Sequence, residues 1–153
     1  MTNPIQTLRA ILEDELRTRD ECGGGPATMT VTDKEGAKTL FALALGQGEQ
    51  ATVIRGILQP QAGNIRHVDY VTEVWMRPMA EMIADGRRPA EARTHEAVMA
   101  VSVWANGACQ GAVVPVASSE GQGMVADWEG FRLWNAFDGP VRDALTCWTE
   151  AAR

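Results

Sequence analysis

Histidine and cysteine are scarce in this 153-residue chain. Two histidines, His67 and His95, leave few agents for general acid–base chemistry. The three cysteines, Cys22, Cys109 and Cys147, are odd in number and widely spaced. They form no disulfide framework and no Cys/His ligand set for zinc. The expectation is reduced thiols in a cytoplasmic protein, with no metal and no cofactor. No apolar run reaches the roughly 18 residues of a membrane span, so no membrane association is expected. Met1-Thr2-Asn3-Pro4 lacks the basic and apolar regions of a signal peptide. Phosphate-cradling and dinucleotide glycine motifs are missing, and so is a GxSxG elbow. His95-Glu96 is followed by Ala97-Val98-Met99, so HExxH fails at its second histidine. An EF-hand loop is also missing.

What is present suits a single domain over residues 1–153, since one domain per roughly 150 residues is usual. Apolar residues reach 45%, enough for a sizeable core. Twenty acidic against fourteen basic side chains give −6. That sign disfavours the phosphate-tracking surface of a nucleic-acid binder.

The apolar spacing predicts an amphipathic helix over 4–20, with Ile5, Leu8, Leu12 and Leu16 on one stripe and Ile11 alongside. Asn3 is its candidate cap and Pro4 suits the first position. Cys22-Gly23-Gly24-Gly25-Pro26 breaks it. Thr28, Thr30 and Thr32 alternate with Met29 and Val31 as a strand, and Lys34-Glu35-Gly36 reads as a hairpin turn. The run from Thr39 to Leu45 reads as a more buried strand. Residues 49–59 fit a helix through Ala51, Ile54, Ile57 and Leu58, although Thr52-Val53-Ile54 would also suit a strand. Gln61 to Asn64 reads as a loop.

Residues 66–76 alternate as a long strand. Val68, Tyr70, Thr72, Val74 and Met76 would take the core face, and His67, Asp69, Val71, Glu73 and Trp75 the other. Residues 77–94 form a long connection with a short helix from Met79 to Ala84; long connections are often functional. Asn106-Gly107 joins two further strands, 96–105 and 108–117. Pro115 removes a ladder donor, which predicts an edge or a bulge. Ser118 to Gly123 reads as a polar turn and Met124 to Trp128 as a last strand. A closing helix over 138–152 has Asp138 as its cap and Val141, Ala144, Leu145, Trp148 and Ala152 as its stripe. The whole reads as α+β: an antiparallel sheet with N-terminal and C-terminal helices packed on one side.

Glu73 sits mid-strand and must reach solvent or a partner, because burying a lone carboxylate is costly. Arg93 is the candidate partner and Glu96 a second carboxylate nearby. Trp128, Phe131, Trp134 and Phe137 crowd one short stretch. They read either as a lid over the sheet or as an aromatic patch for a protein partner. The candidate binding residues are therefore Glu73, Trp75, Arg93, Glu96, Trp128 and Trp134. No catalytic residue and no metal ligand is assigned.

Val71-Thr72-Glu73-Val74-Trp75-Met76, followed by Arg88-Pro89-Ala90-Glu91-Ala92-Arg93-Thr94-His95-Glu96-Ala97-Val98, resembles a group of small uncharacterised bacterial and phage proteins. Those proteins carry a Glu-Ala-Trp-Met strand, a proline-containing loop, an Arg-x-Glu-like segment and a valine-rich strand. The resemblance covers about a fifth of the chain. It implies a strand–loop–strand unit around Glu73 and Arg93, and supplies no mechanism.

The missing catalytic motifs, the aromatic cluster and the long connection favour a non-enzymatic binding or accessory protein, phage- or mobile-element-derived, acting on a protein partner. Self-association through a sheet edge or the aromatic segment is one form of this. One alternative is a small hydrolase or small-molecule-binding protein with a pocket between the 66–76 strand and the 77–94 loop. There Glu73 would be base or anchor, Arg93 would hold an anion and His67 or His95 would assist. Another is an acidic inhibitor of a basic target, which needs Glu13, Asp14, Glu15, Asp20 and Glu21 on one face.

Overall fold

The computed structural model describes residues 4–22, 26–76, 95–119, 123–134 and 139–150. Helix α1 spans Pro4–Cys22, and strands β1 (Ala27–Asp33) and β2 (Lys38–Leu43) follow as a hairpin. Helix α2 (Gln47–Leu58) runs into a 3-10 turn over Gln59–Asn64. Strands β3 (Ile65–Met76), β4 (His95–Trp104) and β5 (Cys109–Ser119) come next. Two short strands, β6 (Gly123–Ala126) and β7 (Arg132–Leu133), precede helix α3 (Pro140–Thr146). The strand order is β2-β1-β3-β4-β5-β6, with β7 also on β5, and every pairing is antiparallel. The α+β class and the antiparallel sheet are those the sequence predicts.

Both hairpins use one device. Gly107 N donates to the Trp104 carbonyl, Trp104 N donates to the Ala108 carbonyl, and Gly107 takes φ 94°. Gly36 N donates to the Asp33 carbonyl, Asp33 N donates to the Ala37 carbonyl, and Gly36 takes φ 92°. A three-residue loop ending on a left-handed residue needs glycine there, because a Cβ would be strained. The Asp33 carboxylate accepts from the Glu35 and Ala37 amides and braces the first loop.

Strand alternation splits the core in two. Met29, Val31, Val68, Tyr70, Met99, Val101, Val103 and Val113 pack with Ile54 and Leu58 of α2 and with Val141, Leu145 and Trp148. Val71, Val98, Ala100, Ala112, Val114 and Val116 pack with Leu8, Leu12 and Leu16 of α1. Neighbouring residues such as Met99 and Ala100 fall in different clusters, so the clusters lie on opposite faces. The terminal helices each cover the sheet, α3 on one side and α1 on the other. One shared side was the expectation. The central strands β3, β4 and β5 are apolar on both faces, so each face needs a helix.

Four local expectations change. The strand after the first hairpin is a mostly exposed edge, not a more buried one. Gln61 to Asn64, expected as a loop, belong to the 3-10 turn over Gln59–Asn64. Pro115 lies within β5, which is paired on both sides. Its carbonyl accepts from Asp127 N. A residue's N and O point to the same side of an antiparallel strand, so the missing donor faces the gap between β6 and β7. The ladder to β4 keeps its bonds, and what proline omits is the return bond to Asp127, just past the end of β6. The C-terminal helix is also shorter than its apolar stripe, and Gly139 stands at its N-cap with φ 110°. Asn3, Gly23–Gly25, the 77–94 connection with its Met79–Ala84 helix, Phe137, Asp138 and Ala152 lie outside the described residues.

Tyr70 ties α2 to the sheet. Its hydroxyl donates to Gln50 Oε1 at 2.7 Å, and Gln50 Nε2 donates to the Leu45 carbonyl at 2.8 Å. Burial pushes the Tyr70 phenol above its ordinary value of 10.0. The neutral phenol is thus favoured in the folded chain. Its contribution is complete below about pH 10 and is lost as pH rises toward the folded value. Thermal melts taken from pH 8 upward should show stability falling past about 10, and falling less in Tyr70→Phe. Equal slopes for the two chains would refute this assignment.

Candidate functional site

Helix α1 lies over β4, β5 and β6 and leaves part of its face of the sheet open. The opening is a trough of about 380 Å³. Ile11, Asp14 and Glu15 of α1 form one wall; Thr28, Thr30, Asp69 and Val71 form the floor; Lys38 and Leu40 of β2 form the far rim. The alternating threonines of β1 make this floor polar, since the face holding Met29 and Val31 is committed to the other core. Glu15 stays in the wall by accepting from Thr28 Oγ1 at 3.0 Å. Ile11 packs partly on the α1 core and partly toward the trough.

The register lines up Leu40, Thr30, Asp69, Ser102 and Gln110 across five strands. Asp69 is the hub of this row. Its Oδ1 accepts from Ser102 Oγ at 2.6 Å, and its Oδ2 lies 2.8 Å from His67 Nε2. The His67 ring stacks on Trp104, centroids 6.3 Å apart and planes inclined by 18°. Serine, aspartate and histidine are all present, but the order is wrong for acyl transfer. There the imidazole stands between hydroxyl and carboxylate and takes the hydroxyl proton. Here the carboxylate stands between, and Ser102 is only 1% exposed. The arrangement clamps β3 to β4. Asp69→Ala leaves the buried Ser102 hydroxyl without its acceptor and should cost about 1–3 kcal/mol in urea unfolding. Adding Ser102→Ala should recover part of that loss. A single variant within about 0.5 kcal/mol of the parent would contradict the clamp.

The sequence-derived candidates do not all meet. Glu73 is exposed and opposite Val98, while Trp75 is opposite Glu96. Glu73 and Glu96 are therefore diagonal neighbours on one face, on the order of 7–8 Å apart at the backbone. Arg93 lies outside the described residues. His67 shares the face of Glu73 but is six residues away, roughly 20 Å along an extended strand. His95 is opposite Met76, at the far end of the pair from His67. Trp128 and Trp134 are half-buried and split between the layers: Trp128 packs on the α1 core and Trp134 on the opposite one. The Arg9 guanidinium lies 4.7 Å from the Trp128 ring centroid, and Phe131 is tilted against the same ring.

The acidic stretch of α1 is dispersed. Glu13 pairs with Arg9 at 3.1 Å and Asp14 with Arg17 at 2.8 Å, while Glu15 turns to Thr28. Successive helical residues are about 100° apart, so these three carboxylates point in different directions. Asp20 and Glu21 are in α1, at its C-terminal end.

Sequence reading did not single out Ser102, Lys38 or Leu40. The alternating threonines were the available signal, because a strand polar on one side and apolar on the other marks a face left uncovered. Among the described residues no group of His, Cys, Asp and Glu is arranged to hold a metal ion. No described helix is long and apolar enough to cross a membrane. No family model matches the chain, and neither a curated protein nor a solved structure is similar enough to count as a match.

Proposed function

We propose that this chain is a non-enzymatic binding or accessory protein that acts through protein–protein contacts made at the β2 edge and the adjoining trough. The observation that carries the reading is Leu40, 68% exposed on the outermost strand. An exposed edge strand carries unpaired amides and carbonyls and is a template for another strand. A large apolar side chain beside that template adds area to bury. Trp128 and Trp134 then serve to close the two cores, and the contact surface lies elsewhere.

The test is retention of host proteins by the immobilised full chain and by Leu40→Lys. Proteins held by the parent and lost by the variant support the reading. A parent that retains nothing and sediments as a monomer overturns it. A second reading, a small-molecule site, draws on the trough itself, whose volume falls at the small end of ligand pockets. It places the ligand beside α1 rather than beneath the 77–94 connection.

A further inference from the structure

We infer that the partner at the β2 edge is a second copy of this chain, paired antiparallel about a two-fold axis through Leu40. This rests on the binding reading above and adds the identity of the occupant. The first support is the direction of the backbone groups. Asp33 N donates to the Ala37 carbonyl, so Asp33 and Ala37 form a bonded pair. Bonded and non-bonded pairs alternate along an antiparallel ladder. Val31 with Thr39 and Met29 with Phe41 are then bonded, while Thr32 with Lys38, Thr30 with Leu40 and Thr28 with Ala42 are not. The N–H and C=O groups of Lys38, Leu40 and Ala42 therefore point away from β1. Among the described residues β2 ends the strand order, so these groups form the outer rim of the sheet.

The second support is self-complementarity. Centred on Leu40, a two-fold pairing sets Leu40 against Leu40 of the second copy, both on the trough face. Lys38 falls opposite Ala42, so the only charged residue of β2 does not meet its own kind. On the other face Thr39 falls opposite the half-buried Phe41, a β-branched side chain against an aromatic one, which is a favourable cross-strand pair. Each outward residue exchanges both backbone bonds with its opposite. The two leucines bury surface that the monomer leaves in water. A two-fold contact uses one patch twice, and this patch fits itself in register, charge and apolar content.

The third support is where apolar exposure falls along the chain. The large hydrophobic residues most exposed among those described are Leu40, Leu45, Val53 and Leu133. Three of the four fall in the segment that runs from β2 into α2. Leu40, the most exposed of the four, is the one that sits on the β2 edge itself, where a second copy would cover it.

The experiment uses the full chain. Sedimentation equilibrium should show a dimer, and Leu40→Lys should weaken it by roughly a hundredfold or more, since both leucines lose their burial. Diluted until the parent is monomeric, the two chains should share one urea midpoint, because Leu40 is exposed in the monomer; at dimer-forming concentrations the parent's midpoint alone should rise. Leu40→Cys should form an interchain disulfide on mild oxidation, since a bonded cross-strand pair brings Cα atoms to about 5.5 Å. Thr39→Cys should not, because its twin stands two positions out of register. The parent chain controls for the native thiols. A dimer that cross-links equally through both positions, or that survives Leu40→Lys, overturns self-pairing while the binding reading stands. A monomer that captures another protein through Leu40 does the same. A monomer that captures nothing overturns both.

Discussion

Trp148→Ala is expected to cost about 3–5 kcal/mol, the range for removing a fully buried aromatic side chain. Trp148 is 0% exposed and follows the last turn of α3. Its indole Nε1 donates to the Leu145 carbonyl at 2.7 Å, which satisfies a helix-end acceptor and the ring's own donor together. The ring joins the cluster that holds Leu145, Val141, Leu58 and Ile54 against the sheet. Helix α3 is short and has no side-chain cap at Gly139. Little besides this packing holds it, since isolated short helices are marginal in water. Urea denaturation followed by tryptophan fluorescence and circular dichroism would measure the loss. A change below about 1 kcal/mol would show that the C-terminal segment is not part of the cooperative core.

Leu12→Ala should have a comparable effect on the other face, about 2–5 kcal/mol. Leu12 is fully buried in the middle of α1, between Leu8 and Leu16 on the same stripe. The surrounding cluster includes Ala100 and Ala112, whose methyl groups cannot swing in to fill the space. The cavity therefore persists, and its cost adds to the lost transfer energy. The helix also carries Ile11, Asp14 and Glu15, so loosening it disturbs a wall of the trough. Amide exchange should speed up throughout α1 before it does in α2. Because the two clusters lie on opposite faces, Leu12→Ala and Trp148→Ala should add to within about 0.5 kcal/mol. Strong coupling between them would contradict a sheet that separates two cores.

Much of the fold was legible in the order of residues. Leu8, Leu12 and Leu16 announced α1 because a stripe at helical spacing can be buried only as a helix. Asn106-Gly107 announced the β4–β5 hairpin, since glycine supplies the left-handed residue that this loop requires. The alternation from Val68 to Val74 placed β3 and separated its two faces, but the face given to His67, Asp69 and Val71 carries a core of its own, with Val71 buried under α1. The ambiguous 49–59 stretch became α2 because its buried residues, Ala51, Ile54 and Leu58, recur at helical spacing. Less was legible where outcome depended on neighbours distant in sequence. Thr39–Leu45 is apolar enough for a central strand, yet Lys38–Leu43 is an edge. Pro115 suggested an edge or a bulge, and it lies in a strand with neighbours on both sides.

The candidate site shows the same division. Asp69 and His67 could be set on one face from sequence, but Ser102 joins them only through the β3–β4 register. Glu73 and His67 share that face as well, and strand rise alone keeps them far apart.

Alone, the linear chain determined the helices, the strands, their turns and the polarity of each face, because these follow from spacing and from local backbone preference. Which face each helix covers, which described strand ends the sheet and which polar groups meet were decided only by the tertiary structure. Those outcomes depend on strand order and register, and both arise from competition among many distant pairings for the same backbone groups and the same apolar surface.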